Sequence, residues 1–148
     1  MRDYTKIKAW RLADDLTVDI YDLTRDFPKE ENYGLTSQIR RAAYSVPANI
    51  TEGASRNTHK DYLHFLYIAR GSLHETHYFI HLSGRLGYLD AEVKQRLTLQ
   101  AEDASRTLTG LIKAVEKETN VISRAAAKIT SMLILSLGSS VFGLQSSV

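Results

Sequence analysis

The sequence predicts an all-α protein with an up-down-up-down four-helix bundle, and three observations support that fold class. Apolar residues recur at steps of three and four over four long stretches, which is the spacing of amphipathic helices. Short segments rich in proline, glycine or polar residues separate these stretches. No stretch shows the alternation of apolar and polar residues that is typical of a half-buried strand. Four helices joined by short turns pack most simply as an antiparallel bundle.

The first two predicted helices are separated by the turn PKEENYG. The first helix carries a single apolar stripe and is expected to stop at Pro28, because proline cannot continue a helix. Its stripe consists of Leu12, Leu16, Ile20, Leu23 and Phe27. The second helix runs from about Leu35 to Arg56 and contains Pro47. An interior proline removes one backbone hydrogen bond and costs about 3 kcal/mol. The small residues around Pro47 lead us to expect a kinked helix with another backbone close by.

The third and fourth helices are also predicted from start and stop signals and from an apolar stripe. Thr58 is placed to cap the third helix, with Asp61 three residues later, and the glycines of SGRLGYLD are placed to end it. The fourth helix begins near Asp90 and carries an almost perfect heptad stripe. That stripe consists of Val93, Leu97, Ala101, Ala104, Leu108, Leu111 and Val115. We therefore predict one bundle domain over residues 1–120.

The remaining segment, residues 121–148, has a different composition. From Ile129 onwards it has no charged residue and is rich in serine and glycine. Twenty uncharged residues reach the length of a membrane span, but six serines and two glycines make the segment a poor one. We expect an apolar, Ser/Gly-rich tail that is weakly ordered or packs on a partner. An extra helix and a membrane anchor are the alternatives.

Composition limits the class of protein. The chain has 148 residues, of which 43% are hydrophobic and 24% charged, as expected for one soluble globular domain. It has no cysteine, which excludes disulfide bonds and thiolate metal sites. The N-terminal stretch MRDYTKIKAWRLADDL is charged throughout and does not resemble a signal peptide. We expect a cytoplasmic location.

Positive charge is concentrated in one part of the chain. Residues 1–34 hold six Lys/Arg and eight Asp/Glu, whereas residues 35–70 hold five Lys/Arg against two Asp/Glu, a net charge of +3. The five cations of that segment are Arg40, Arg41, Arg56, Lys60 and Arg70. An anionic partner such as DNA or RNA would explain this excess. The alternative is an ordinary solvated helix face.

Candidate catalytic and metal-binding residues are few. His74, His77 and His81 recur at helical spacing on the third helix, but one helix rarely supplies three ligands with correct geometry. We therefore expect exposed or interface histidines, with no metal and no cofactor. The sequence contains no glycine-rich phosphate loop, no G-x-S-x-G elbow and no H-E-x-x-H pair. These absences predict that the protein is not an enzyme and has no small-molecule substrate.

A resemblance to a known family is carried by short elements that keep a fixed spacing over a stretch of about forty residues. The matching elements are Gln38-Ile39-Arg40-Arg41-Ala42, Ser45-Val46-Pro47-Ala48-Asn49-Ile50, Glu52-Gly53, Arg56, Lys60-Asp61, Ala69-Arg70-Gly71-Ser72 and Glu75. In these elements the chain resembles the four-helix-bundle proteins encoded by intervening sequences in bacterial 23S ribosomal RNA genes. That family includes the accessory variability determinant of diversity-generating retroelements. The likeness covers about residues 4–118, and the three histidines and the tail lie outside it.

The resemblance implies a homopentamer, a barrel of bundles around a central channel with a basic surface and no catalysis. It also implies that retroelement relatives bind nucleic acid and assist a reverse transcriptase. Within the pattern, the six residues expected to have structural roles are Pro47, Asn49, Glu52, Gly53, Gly71 and Glu75. The five cations are the expected nucleic-acid-binding residues.

Two functions are therefore open at this point. The first is a pentameric nucleic-acid-binding accessory protein. The second is an oligomeric protein–protein scaffold, in which the arginines pair with the acidic face of the first helix in the adjacent subunit. That face carries Asp14, Asp15, Asp19 and Asp22.

Overall fold

The computed structural model describes the backbone of residues 2–142 and the side chains of residues 2–134. Its four long helices are α1 (Lys8–Leu23), α2 (Leu35–Ser55), α3 (His59–Arg85) and α4 (Ala91–Phe142). Each helix packs on the next one along the chain, and α4 packs back on α1, which closes the bundle. The described residues contain no β-strand. The predicted all-α four-helix bundle is confirmed.

The α1 helix ends before the predicted position. Regular α-helix stops at Leu23, and a 3-10 turn over Thr24–Asp26 follows. Phe27 is extended, with φ −69° and ψ 152°, because the residue before a proline disfavours helical geometry. Pro28 thus limits the helical conformation as predicted, but the last turn is tighter than an α-helix. Phe27 is buried and its ring lies 5.4 Å from that of Tyr88.

The α2 helix passes through Pro47 without interruption. Pro47 has no N–H, so the carbonyl of Ala43 lacks its usual intrahelical donor. The buried hydroxyl of Thr17, from α1, lies 3.0 Å from that carbonyl oxygen and 2.7 Å from the carbonyl oxygen of Ala13. A donor from the neighbouring helix therefore compensates the acceptor that the proline leaves open.

The close approach expected around the small residues occurs between α2 and α3. A Cβ on Gly53 would lie 2.9 Å from both Cβ of Phe65 and Cδ2 of Tyr62. Such a distance is below normal van der Waals contact, so only glycine allows the two helices to pack here. The cap predicted for α3 is confirmed, because Oγ1 of Thr58 accepts a hydrogen bond of 3.0 Å from the Asp61 amide.

The core is formed by one apolar stripe from each helix. Its largest fully buried side chains are Leu16, Ile20, Ile39, Val46, Ile50, Leu66, Leu73, Ile80, Leu97 and Leu108. On α4 the buried stripe continues to Ile112 and Val115 and then stops. All residues from 121 to 134 are exposed.

The predicted domain boundary at residue 120 is not a break in secondary structure. α4 continues through it to Phe142, so the first 22 residues of the predicted tail are helical, and residues 143–148 lie outside the described part. At 1.5 Å per residue, a helix of 52 residues is about 78 Å long, roughly twice the length of α3. None of the helices within residues 2–142 combines the length and apolarity that crossing a bilayer needs.

Candidate nucleic-acid interface

The five predicted cations contact different neighbouring residues and do not share one groove. Arg40 faces α1, and Arg41 reaches across to α3. Arg56 lies at the end of α2, with its guanidinium 4.9 Å from the ring centroid of Phe65. Lys60 and Arg70 lie on α3, where Lys60 lines a depression between α3 and α4 together with Tyr67. Arg70 covers the Tyr67 ring at 5.0 Å.

Arg40 and Arg41 point in different directions although they are adjacent in sequence. Nε of Arg40 donates a hydrogen bond of 2.7 Å to Oγ1 of Thr24, and its guanidinium lies 4.9 Å from the ring centroid of Tyr21. Both partners are neutral. Arg41 instead forms an ion pair of 3.1 Å with Glu75 and donates to Oε1 of Gln38 at 3.3 Å. The adjacency of the two arginines therefore does not require an anion between them.

Two of the five cations are paired with carboxylates inside the subunit. These pairs are Arg41 with Glu75 and Arg56 with Glu52, and all four side chains are about half-exposed. Solvent-exposed ion pairs contribute about 0–1 kcal/mol, so a phosphate could replace either carboxylate at little cost. Arg40, Lys60 and Arg70 have no carboxylate partner within the described part of the chain.

Tyr67 connects the Arg70 side of α3 to α4. Its hydroxyl donates a short hydrogen bond to the carboxylate of Glu116. That hydrogen bond raises the pKa of the Tyr67 phenol above its usual value, and desolvation acts in the same direction. Tyr67 is therefore a neutral donor at physiological pH, and its ring is held in place beneath the Arg70 guanidinium.

The residues of the family pattern that were expected to have structural roles lie mainly at the contact between α2 and α3. Nδ2 of Asn49 donates to the carbonyl oxygen of Ser45 at 2.7 Å and to its Oγ at 3.0 Å. The hydroxyl of Ser72, from α3, donates to the same Oγ at 3.0 Å. Pro47 is buried, whereas Gly71 is exposed and a Cβ there would meet nothing within 4 Å. Gly71 therefore has no packing role within the described part of the subunit.

An open groove lies across the outer face of the first half of α2. Its volume is about 570 Å³. The residues that line it include Arg40 and Arg41 together with three tyrosines, Tyr21, Tyr33 and Tyr44. We call it the tyrosine groove. The two arginines were predicted from the sequence as nucleic-acid-binding residues, and the three tyrosines were not. One signal was present, since Tyr44 follows Arg40 by four residues and so lies on the same side of the helix.

The histidines do not form a metal centre. His74 and His77 line a pocket of about 260 Å³ between α3 and α4, with Glu102 on the opposite helix. His81 is not among the residues that line it. Among the residues that the structure describes, no group of three or more His, Asp or Glu is arranged to hold a metal ion. The expectation that the protein needs no metal stays a prediction.

Comparison with known proteins identifies the family. The family model described as 23S rRNA-intervening sequence protein matches residues 5–110. The fold is similar to the crystal structure of a protein of unknown function from the S23 ribosomal protein family of Bacteroides thetaiotaomicron, with a TM-score of 0.64 and 23% identity. The match covers 71% of this chain and 98% of that one. No curated protein matches the chain. The relation to retroelement proteins stays a prediction, whereas the resemblance to the proteins of 23S rRNA intervening sequences is confirmed, and the chain belongs to the 23S rRNA-intervening sequence proteins.

Proposed function

We propose that the protein is a cytoplasmic, non-catalytic oligomer that binds DNA or RNA through the basic surface of α2 and α3. In this role it serves as an accessory to an rRNA intervening-sequence element or to a reverse transcriptase. The observation that carries the proposal is the charge of residues 35–70, where Arg40, Lys60 and Arg70 have no carboxylate partner within the described part of the chain. These cations are available to an anionic partner.

Phosphate contacts should dominate binding. The cations do not share one groove, so a single subunit presents few charges to one strand. In a closed ring of five subunits, each cation would be repeated five times around the axis. A polyanion such as nucleic acid would match that arrangement better than a small anion would. Contacts to phosphate carry no sequence information, so we expect little sequence preference.

The proposal is tested by the salt dependence of binding. For a site that neutralises about five phosphates, the slope of log affinity against log salt should be roughly −3.5 on single strands and −4.5 on duplex. Changing Arg40 and Arg41 to Ala should weaken binding to all sequences alike and flatten the slope. The measurement is a fluorescence-anisotropy titration at several salt concentrations, with oligomer size checked in parallel.

A matched control removes the same charge from the acidic part of the chain. Changing Arg11 and Arg25, on α1 and in the turn after it, to Ala should leave binding almost unchanged. The proposal fails if wild type binds no nucleic acid at low salt. It also fails if the two double variants behave alike.

The second candidate function is a protein–protein scaffold. Asp14 and Asp15 on α1 have no ion-pair partner within the described residues, so they could accept the arginines of an adjacent subunit. Asp19 is less available, because it already binds Arg96 at 2.7 Å. If the Arg40/Arg41 double variant dissociates the oligomer, the scaffold function should replace nucleic-acid binding.

A further inference from the structure

We propose that the tyrosine groove binds an unpaired nucleotide of single-stranded nucleic acid, whose base stacks on Tyr33 or Tyr44 and whose phosphate contacts Arg40 and Arg41. This inference rests on the proposed function and deepens it, since it assigns one site a preference for single strands. Phosphate contacts alone would not make the protein prefer single strands to duplex.

The aromatic side chains are the first argument. Tyr33 is 97% exposed, and Tyr44 and Tyr21 are 47% and 40% exposed. Tyr33 has nearly its whole surface in water and so gains little from the fold, and two partly exposed tyrosines line the same groove. Base stacking on aromatic side chains tolerates any sequence, because every base has a π-face.

The charge of the groove is the second argument. Arg40 is held over the Tyr21 ring and hydrogen-bonded to Thr24, so its guanidinium is fixed in place without a carboxylate to neutralise it. Arg41 also lines the groove and contributes a second guanidinium, and its half-exposed ion pair with Glu75 is weak. Aromatic rings beside guanidinium groups are the combination by which proteins hold unpaired bases and their phosphates.

The remaining polar groups and the size of the groove agree with this ligand. Asn32 and Gln38 line the groove and offer amide groups for the edge of a base. Thr36 also lines it, is only 3% exposed, and its hydroxyl has no hydrogen-bond partner among the described residues. A volume of about 570 Å³ lies within the range of small-molecule sites, which is about 300–1,000 Å³. A stacked base can enter the groove, whereas the bases of a duplex are not available to it.

The test separates base stacking from phosphate binding. Fluorescence anisotropy would be measured with labelled RNA and DNA single strands of about 12 nucleotides, a length within known site sizes. A duplex and an abasic strand with the same number of phosphates would be measured alongside. Changing Tyr33 and Tyr44 to Ala should weaken binding to single strands about 5- to 150-fold and leave the duplex affinity unchanged. The salt slope should not change, because no charge is removed.

Two control variants show whether the effect depends on the aromatic ring and on its position in the groove. Tyr33→Phe keeps the ring and should bind single strands like wild type. Tyr78→Ala removes a tyrosine of α3 that is 56% exposed and does not line the groove, so it should also bind normally. The groove tyrosines are exposed, so the variants should unfold at the same temperature as wild type.

The possible failures are distinguishable. If wild type binds the abasic strand as tightly as the normal one, or if the tyrosine variants bind like wild type, the groove inference is wrong and binding through phosphates stands. If Tyr33→Phe loses as much affinity as Tyr33→Ala, stacking is not the interaction and the inference is also wrong. If wild type binds no nucleic acid at low salt, both the inference and the proposed function are overturned.

Discussion

Pro47 leaves the carbonyl oxygen of Ala43 without a backbone donor, and the hydroxyl of Thr17 supplies one from α1. A buried carbonyl with no partner costs about 1–3 kcal/mol, so this contact stabilises the bundle at the point where its second helix is weakest. The Thr17 hydroxyl donates a bifurcated hydrogen bond, which is shared between the carbonyl oxygens of Ala13 and Ala43. The proline and the threonine therefore form a pair across two helices, although they lie far apart in the sequence.

This pairing predicts non-additive effects on stability. Thr17→Val should lower the free energy of unfolding by about 1–3 kcal/mol in the natural chain. In the Pro47→Ala background it should cost less, because the alanine would donate its own N–H to the Ala43 carbonyl. The measurement is a double-mutant cycle by chemical denaturation.

A buried threonine on α3 provides the control for that cycle. Thr76 is fully buried and donates to the Ser72 carbonyl of its own helix, so its hydrogen bond does not involve the Ala43 carbonyl that the proline leaves open. Thr76→Val should have the same cost in the natural chain and in the Pro47→Ala background. Equal costs for Thr17→Val in the two backgrounds would show that Thr17 does not compensate the proline.

Two glycines of the family pattern should respond in opposite directions to the same substitution. Gly53→Ala should destabilise the protein by about 1–3 kcal/mol, because the new Cβ would lie 2.9 Å from Cβ of Phe65 and 3.3 Å from the carbonyl oxygen of Tyr62. Gly71→Ala should stabilise it by about 0.5–1 kcal/mol, since the position is helical and open. Chemical denaturation of both variants tests this. A loss of stability at Gly71 would indicate that this surface is covered in the assembly.

The role of a residue was predictable from the sequence where the pattern that indicates it lies within a few positions of the chain. The Thr58 cap and the need for a small residue at Gly53 follow from patterns within a few positions. The role of Thr17 was not predictable, because its acceptor is 26 residues away and depends on how α1 packs against α2. The tyrosine groove was missed for the same reason, since Tyr21 and Tyr44 come together only when those two helices pack.

At the scale of the helices, α4 extends well beyond the bundle. Its buried stripe ends at Val115, yet apolar residues continue at heptad spacing and are exposed, with Ile122 at 54%, Ile129 at 60% and Met132 at 63%. The sequence predicted the start of α4 near Asp90, where the Asp90 side chain accepts a hydrogen bond from the Val93 amide. For the residues after 120 it favoured a weakly ordered or partner-packed tail and gave an extra helix only as an alternative. The alanine run at 125–127 was the overlooked signal, because alanine has the highest helix propensity.

The extension should contribute little to the stability of the bundle. A chain that ends at residue 120 should unfold within about 3 °C of the full chain at equal concentration, because residues 121–134 bury no side chain. A chain that ends at Gly110 also loses the buried Ile112 and Val115 and should be less stable by several kcal/mol, on the order of 2–5 for each large apolar side chain. Thermal denaturation distinguishes the two. A large loss on removal of 121–148 alone would mean that the extension packs against another part of the assembly.

At the scale of the whole molecule, charge is divided between the helices of the bundle. Asp14 and Asp15 lie on α1, whereas Arg40, Lys60 and Arg70 lie on α2 and α3, so one subunit could present opposite charges to two neighbours. Such an arrangement suits head-to-tail contacts, which close into a ring when the rotation between subunits permits it. The charge excess of residues 35–70 is visible in the sequence, but the directions of Arg40 and Arg41 depend on the packing of α1 and α3 around α2.

We predict a closed ring, most simply of five subunits, assembled through the second half of α2, beyond the tyrosine groove. Ala48 is exposed there and lies within one turn of Thr51, so a larger charged side chain at this position would obstruct a neighbour. Native mass spectrometry of the full chain should give one species of five chain masses, and Ala48→Arg should shift it to monomers that remain folded. Gln95→Arg adds the same charge to an exposed site on α4 and should leave the ring intact. A wild-type monomer at micromolar concentration would contradict the ring, and an unchanged ring in Ala48→Arg would assign the contact to another face.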